Sequence, residues 1–239
     1  MKAGIVVFPG SNCEHDVAEA LRALGAEAEL VWHGQSSLGD VDAVVLPGGF
    51  AHGDYLRPGD ITRFSPVMDA VVDFARAGGP VVGICNGFQV LTEAGLLPGA
   101  LQKNRGLKFL CTTVEVRVES TDSALTNRCG RGDVLRLPIN HFEGNYTCPL
   151  DVLDELRAEE RVVLRYLGNP NGSIDAIAGI CSAGRNVVGL MPHPERACDV
   201  LLGSEDGTPL LASFVVSGGL ASAATVQPTP VAAATPLPA

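Results

Sequence analysis

The sequence predicts an α/β fold with a mostly parallel central sheet flanked by helices. Short apolar runs alternate with amphipathic segments through the first half of the chain, which is typical of βαβ units. Val, Ala, Leu and Gly dominate the composition and only 18% of residues are charged, as expected where helices cover both faces of a sheet. In the second half apolar and polar residues alternate, which predicts an additional set of antiparallel strands.

Glycine-rich corners separate the elements of the first half. In chain order, the predicted elements are strand 3–8, helix 13–24, strand 29–32, strand 43–46, helix 68–77 and strand 81–84. Gly25 ends the first helix and Gly78 the second, because glycine tolerates the left-handed conformation that often follows a helix. In open parallel sheets, functional sites lie beyond the carboxyl ends of the strands. The corners at 9–11, at 47–49 and around Cys85 are therefore expected to meet at one edge.

The second half adds shorter elements and a tail of different composition. The predicted elements are antiparallel strands 112–118 and 134–137, a buried strand 187–191 and a final helix 210–216. Residues 220–239 are rich in Ala, Pro, Thr and Val, with four prolines among the last twelve residues. This composition predicts a disordered tail after one globular domain that spans residues 1–219.

Charge and cysteine content exclude several functional classes. The net charge of −10 disfavours a nucleic-acid partner or an anionic membrane surface. The apolar run near the N-terminus is too short for a signal peptide or a membrane span. The seven cysteines are odd in number, irregularly spaced and without a CxxC pair, which disfavours a disulfide framework and a structural zinc site. These features predict a cytoplasmic protein with reduced thiols.

The most informative stretch is 80–89, where a buried strand turns into a helix at Cys85. Gly83 and Gly87 flank the cysteine at two residues on either side, as a tight strand-to-helix turn requires. Such a turn lifts the thiol clear of the backbone and places it near the positive end of the helix, which favours the thiolate. A buried structural cysteine is the alternative. The two glycines and the change from strand to helix favour a nucleophile.

A cysteine nucleophile needs a base, and His193 has the most suitable context among the five histidines. It follows a continuous apolar strand and lies between two prolines, which hold the backbone extended. Glu195 is close enough to accept a hydrogen bond from the imidazole, which would complete a Cys–His–carboxylate triad. His141 is the rival base, because it also follows a strand and precedes a glutamate by two residues.

Two further sets of residues complete the predicted site. Acyl transfer needs hydrogen-bond donors for the developing oxyanion, and the backbone N–H groups of Asn86 and Gly49 are the candidates. Asn140 and His141 lie in a glycine-containing loop that could wrap a polar ligand, so both are interpreted as substrate-binding residues. The sequence alone does not decide between a substrate-binding and a basic role for His141.

Six stretches of the sequence together resemble the class I, triad-type glutamine amidotransferases. Within that family, the chain is most similar to the small glutaminase subunits of phosphoribosylformylglycinamidine synthases, which act in purine biosynthesis. The combination of the Cys85 turn with the GGF-x-x-GDYLR pattern distinguishes these subunits from other amidotransferases. The six stretches are 8–13, 48–57, 83–89, 91–99, 138–146 and 192–195.

The resemblance implies a flavodoxin-like amidotransferase fold and a particular reaction. The enzyme would hydrolyse L-glutamine to glutamate and ammonia through a γ-glutamyl thioester on Cys85, with His193 exchanging protons and Glu195 orienting the imidazole. Gln89 corresponds to a residue that contacts the glutamine. The ammonia would pass to a large ATP-dependent synthase subunit that converts formylglycinamide ribonucleotide to formylglycinamidine ribonucleotide, and a small third subunit would bridge the two.

The resemblance also assigns ATP and Mg to the large partner and no cofactor to this chain, which lacks a G-x-x-x-x-G-K-[ST] phosphate loop. Three other interpretations stay open at this stage. A free-standing γ-glutamyl hydrolase or cysteine peptidase would use the same nucleophile without a partner. A non-catalytic interaction subunit would keep only the fold, although Cys85, His193 and Glu195 are all present. A metal site on Cys85 and His193 would lack further ligands at a typical spacing, so no metal is predicted.

Overall fold

The computed structural model describes residues 1–219, which form the predicted α/β fold. The predicted tail at 220–239 lies outside the described residues. The helices of the described part are α1 (Glu14–Ala23), α2 (Val67–Arg76), α3 (Asn86–Glu93), α4 (Leu150–Ala158) and α5 (Thr208–Ser217). Its strands are β1 (Lys2–Val7), β2 (Glu27–Trp32), β3 (Ala43–Leu46), β4 (Val81–Ile84), β5 (Ala100–Gln102), β6 (Leu110–Val118), β7 (Val134–His141), β8 (Asn145–Thr147), β9 (Val162–Tyr166), β10 (Ile177–Cys181) and β11 (Val187–Leu190).

Nine of these strands form one mixed sheet, in the order β2-β1-β3-β4-β11-β10-β9-β6-β7. The first five strands in this order run parallel to one another. From β11 to β7, each strand is antiparallel to its neighbour. The antiparallel strands predicted for the second half therefore extend the central sheet. β5 and β8 pair separately as a small antiparallel sheet.

The centre of the large sheet is covered on both faces. Every residue of β3, β4, β10 and β11 is buried, which explains why these strands appear in the sequence as uninterrupted apolar runs. Helix α1 packs on β1 and β2, and α3 packs on β3, β4 and β11. Helix α1 ends before Gly25, which has φ 85° and donates its N–H to the carbonyl of Arg22 at 2.9 Å.

The topology brings distant parts of the chain to one edge of the sheet. β4 and β11 are parallel neighbours, so their carboxyl ends at Ile84 and Leu190 lie side by side. The segment after β11 is bound to β7, because the N–H of His193 donates to the carbonyl of Pro138 at 2.9 Å. The loop that follows β7 therefore reaches the same edge as the end of β4. No helix among residues 1–219 is long and apolar enough to cross a membrane.

Candidate active site

Cys85 occupies a strained turn between β4 and α3. Its backbone has φ 51° and ψ −105°, and its N–H donates to the carbonyl of Leu190 at 2.8 Å, which fixes the turn to β11. A Cβ added to Gly83 would lie 2.6 Å from the carbonyl group of Gly87, and one added to Gly87 would overlap the carbonyl oxygen of Leu46. The glycines predicted on either side of the cysteine are therefore required by close packing of backbone on backbone.

His193 and Glu195 are held together in a short 3-10 segment after β11. The Nδ1 atom of His193 lies 2.6 Å from Oε1 of Glu195, and both side chains are almost fully buried. The Nε2 atom is also buried and has no hydrogen-bond partner within residues 1–219. Burial alone would lower the pKa of His193, but the charges of Glu195 and Cys85 raise it well above its usual value. These charges favour the protonated form of the His193 imidazole.

The thiol of Cys85 is shielded from solvent but faces a cavity. The residue is 5% exposed, and its Sγ atom is 3.7 Å from the backbone carbonyl oxygen of Asn140. Cys85 directly precedes Asn86, which is the first residue of helix α3 and whose N–H therefore has no partner within that helix. The positive end of the α3 dipole is consequently adjacent to the sulfur.

Five of the eight residues predicted for the site line this one cavity: Gly49, Cys85, Gln89, Asn140 and His141. Asn86 lies beneath it, where its Oδ1 accepts the N–H of Ala51 at 3.1 Å and its Nδ2 donates to Oε1 of Gln89 at 2.9 Å. The Nε2 atom of Gln89 in turn donates to the carbonyl of Glu143 at 2.5 Å. The loop after β3, the turn at Cys85 and the end of β7 with the loop after it thus form a single pocket, which the predicted corner at 9–11 does not line. Asn140 and His141 were predicted in a loop but are the last two residues of β7.

His141 differs from His193 in what holds its ring. Its Nδ1 atom is 3.0 Å from Oδ1 of Asn104, and no carboxylate is bonded to the ring within residues 1–219. Burial and the nearby charge of His193 lower the pKa of His141 to about 4, so the imidazole is neutral. The glutamate two residues later does not orient the ring, so His141 lacks the carboxylate that a triad base requires.

A second cysteine, which the sequence reasoning did not identify, lies beside the imidazole. The ligand atoms of Cys13, His193 and Glu195 are all within 4.8 Å of one another. Such a group could in principle hold a metal ion, but Nη2 of Arg196 is 3.1 Å from the Cys13 sulfur and Glu195 already binds His193. The guanidinium charge opposes a cation there. The signal in the sequence was the corner at 9–11, which precedes Cys13 and was expected at this edge.

Two carboxylates also line the cavity without having been predicted there. Asp54 belongs to the loop after β3, and Glu143 belongs to the loop between β7 and β8. Burial, followed by the charge of Glu143, raises the pKa of Asp54 to about 6. Both residues fall within stretches that carry the family resemblance, but no local pattern shows that the two loops meet.

Comparison with known proteins shows the family to which the chain belongs. The family model for the CobB/CobQ-like glutamine amidotransferase domain matches residues 1–206. The phosphoribosylformylglycinamidine synthase subunit PurQ of Rubrobacter xylanophilus is 59% identical over 215 residues, which cover 90% of this chain and 98% of that protein. The PurQ subunit of Koribacter versatilis is 52% identical over 225 residues, covering 90% and 97%.

A chain in the structure of PurLQS from Thermotoga maritima matches with a TM-score of 0.84 at 42% identity, over 90% of this chain and 97% of that one. A family model that spans most of the chain and relatives above half identity lead to the same assignment. The chain belongs to the glutamine amidotransferases and, within them, to the PurQ glutaminase subunits of phosphoribosylformylglycinamidine synthase.

Proposed function

We propose that this chain hydrolyses L-glutamine to glutamate and ammonia through a thioester on Cys85, and that it delivers the ammonia to a synthase partner. The observation that carries the proposal is the placement of His193. Its Nδ1 atom is bound to Glu195 at 2.6 Å, while its buried Nε2 atom has no partner within residues 1–219 and its pKa responds to the charge of Cys85. This is the arrangement that a thiolate–imidazolium pair needs.

Acylation begins when the Cys85 thiolate attacks the carboxamide carbon of glutamine. The carbonyl oxygen becomes an oxyanion, which the N–H groups of Asn86 and Gly49 are proposed to stabilise. The imidazolium of His193 then donates its Nε2 proton to the amide nitrogen. The carbon–nitrogen bond breaks, ammonia leaves, and a γ-glutamyl thioester stays on the sulfur.

Deacylation reverses the roles of the same groups. A water molecule attacks the thioester carbon while His193 accepts one of its protons, and collapse of the second tetrahedral intermediate breaks the carbon–sulfur bond. Glutamate leaves and the thiolate–imidazolium pair is restored. Through both steps, the carboxylate of Glu195 accepts a hydrogen bond from the Nδ1–H group of His193, which orients the ring and stabilises the imidazolium. Gln89, Asn140 and His141 line the cavity and are proposed to contact the substrate.

The ammonia is proposed to pass to a large subunit that uses ATP and Mg to convert formylglycinamide ribonucleotide to formylglycinamidine ribonucleotide, with a small third subunit in the same complex. The PurLQS structure and the PurQ names of the relatives support such an assembly. The rim of the cavity supports it as well, because Tyr55 is 74% exposed and Leu56 87% exposed in the loop that also carries Asp54. Large apolar side chains in this position suit a surface that a partner covers.

The test compares two nitrogen sources in the assembled complex. Cys85→Ala removes the nucleophile, so we expect glutamine-dependent synthesis to be lost while synthesis from ammonium continues. Cys111→Ala is the matched control, because that cysteine is exposed on β6 and is outside the cavity. Glutamine hydrolysis that survives in Cys85→Ala would refute the thioester. A complex that fails with ammonium as well would show that the residue does more than release nitrogen.

A further inference from the structure

The part of the cavity away from the thiol is lined by two carboxylates that the triad mechanism does not use. Asp54 and Glu143 come from different loops and line the same cavity as Cys85. Among residues 1–219, Asp54 forms no ion pair with a lysine or arginine, whereas Asp60 in the same loop is bound by Arg57 and Arg63. Asp54 is therefore a carboxylate without a protein counter-ion.

A chain of hydrogen bonds connects the carboxylate of Asp54 to the backbone of Glu143. Nδ2 of Asn86 donates to Oδ1 of Asp54 at 3.2 Å and to Oε1 of Gln89 at 2.9 Å. Nε2 of Gln89 donates to the backbone carbonyl of Glu143 at 2.5 Å. The amide donors below the cavity are thus engaged by protein acceptors, and the side chains of Asp54 and Glu143 are left to face the cavity.

The ring of His141 supplies a further acceptor in the same cavity, and this acceptor lacks a donor within residues 1–219. Nδ2 of Asn104 donates to the carbonyls of His141 and Lys108, both at 2.9 Å, so its Oδ1 faces the His141 ring at 3.0 Å. Nδ1 of His141 must therefore carry the proton, which leaves a lone pair on Nε2. His141 is 3% exposed, and this Nε2 has no partner within residues 1–219. A buried acceptor without a donor indicates that a ligand supplies one.

We propose that Asp54 and Glu143 together bind the α-ammonium group of the substrate, and so select L-glutamine over amides that lack this group. The inference rests on the proposed glutaminase function. A primary ammonium carries three donors and one positive charge, which matches a pair of carboxylates without a counter-ion in a partly desolvated cavity. The charge of Lys103 lowers the pKa of Glu143, but burial raises it by more, so the pKa of this carboxyl is raised overall. Lys103 therefore does not replace the missing cation.

The substitutions that test this keep the shape of each side chain. Asp54→Asn and Glu143→Gln remove the charge, and the amide oxygen introduced by Asp54→Asn can still accept the hydrogen bond from Asn86. Asp60→Asn is the matched control, because its charge is already neutralised by arginines. Each variant is assembled with its synthase partner and assayed with L-glutamine and with glutaramate, the same amide without the α-amino group. Alkylation of Cys85 by iodoacetamide reports whether the nucleophile is intact.

Loss of one charge-assisted contact is expected to lower kcat/KM for L-glutamine about 10- to 100-fold in Asp54→Asn and in Glu143→Gln. The kcat/KM for glutaramate and the alkylation rate stay at wild-type values, and Asp60→Asn keeps the preference for glutamine. If a variant loses kcat/KM for both substrates equally, or keeps the wild-type preference for glutamine, the ammonium site is refuted while the glutaminase proposal stands. A wild-type complex that hydrolyses neither amide would overturn the glutaminase proposal and the ammonium site with it.

Discussion

Replacing Gly87 with alanine tests whether the packing of α3 against β3 holds the nucleophile in place. A Cβ atom at residue 87 would lie 2.6 Å from the carbonyl carbon of Leu46 and 2.9 Å from its Cβ, and it would overlap the carbonyl oxygen. Carbon atoms in contact prefer about 3.5–4.0 Å, so α3 would have to move away from β3 by about an ångström. Leu46 is fully buried in the central sheet and cannot move instead.

Two opposing effects set the size of the change in stability. Alanine stabilises a helix by about 1 kcal/mol relative to glycine. Overpacking that requires a shift of the backbone costs about 3 kcal/mol. The clash is the larger effect, so the free energy of unfolding should fall by about 2 kcal/mol, which corresponds to a decrease in Tm of about 4–8 °C in a domain of this size.

The assay combines thermal unfolding with the rate of Cys85 alkylation, because a shift of α3 also displaces the turn that carries the thiol. Gly106→Ala is the control, since nothing among the described residues lies within 4 Å of a Cβ added there, apart from its chain neighbours. We expect the control to keep the wild-type Tm and alkylation rate. A Gly87→Ala protein that is as stable as the wild type and equally reactive at Cys85 would refute the reasoning.

Three further predictions concern groups in or beside the cavity. Glu195→Gln removes the charge that raises the pKa of His193, so kcat should fall about a thousandfold or more and the pKa of His193, followed by NMR, should fall; an unchanged titration of His193 would contradict this. Gly48→Ala would place a Cβ 2.7 Å from Cε1 of His193, so kcat should fall while thermal unfolding shows an intact fold; wild-type turnover would count against the close contact. Because the folded-state pKa of Asp54 is raised from 3.8 to about 6, its ionised form destabilises the fold, and this cost is absent below pH 3.8 and complete above pH 6. Asp54→Asn should therefore increase the free energy of unfolding in urea by about 1 kcal/mol at pH 8, after allowance for partial exposure, and leave it unchanged at pH 3.5; an equal gain at both pH values would contradict the assigned cause.

The parallel part of the sheet could be predicted because its strands are buried on both faces. Strands 43–46 and 81–84 coincide with β3 and β4, and predicted strand 187–191 differs from β11 by one residue. The sequence reasoning did not assign β5, β8, β9, β10 or α4. The strands β9 and β10 are largely buried and apolar, and they were missed although they resemble the parallel strands in composition. β5 and β8 have three residues each, and α4 buries only Leu153 and Leu156, so none of these three elements has a clear periodic pattern.

In the candidate site, contacts within a short segment could be predicted from the sequence, whereas contacts between distant parts of the chain could not. The turn at Cys85 follows from residues within a few positions, and Glu195 reaches His193 within the same short segment. The approach of Cys13 to His193 depends on packing between the N-terminal loop and the last part of the chain. Asp54 reaches the cavity through a loop in which His52, Asp54 and Leu56 all have positive φ. Residues other than glycine rarely adopt this conformation, so the sequence does not predict the course of the loop.

The most direct test of the central claim is to treat the protein with a chloroketone analogue of L-glutamine and to locate the label by peptide mass spectrometry. Cys85 is 5% exposed, whereas Cys111 is exposed on the surface, so accessibility alone would direct the reagent to Cys111. Activation by His193 predicts labelling at Cys85 instead, with protection by glutamine and loss of labelling in His193→Ala. Labelling that follows exposure, with Cys111 modified and Cys85 not, would contradict the account.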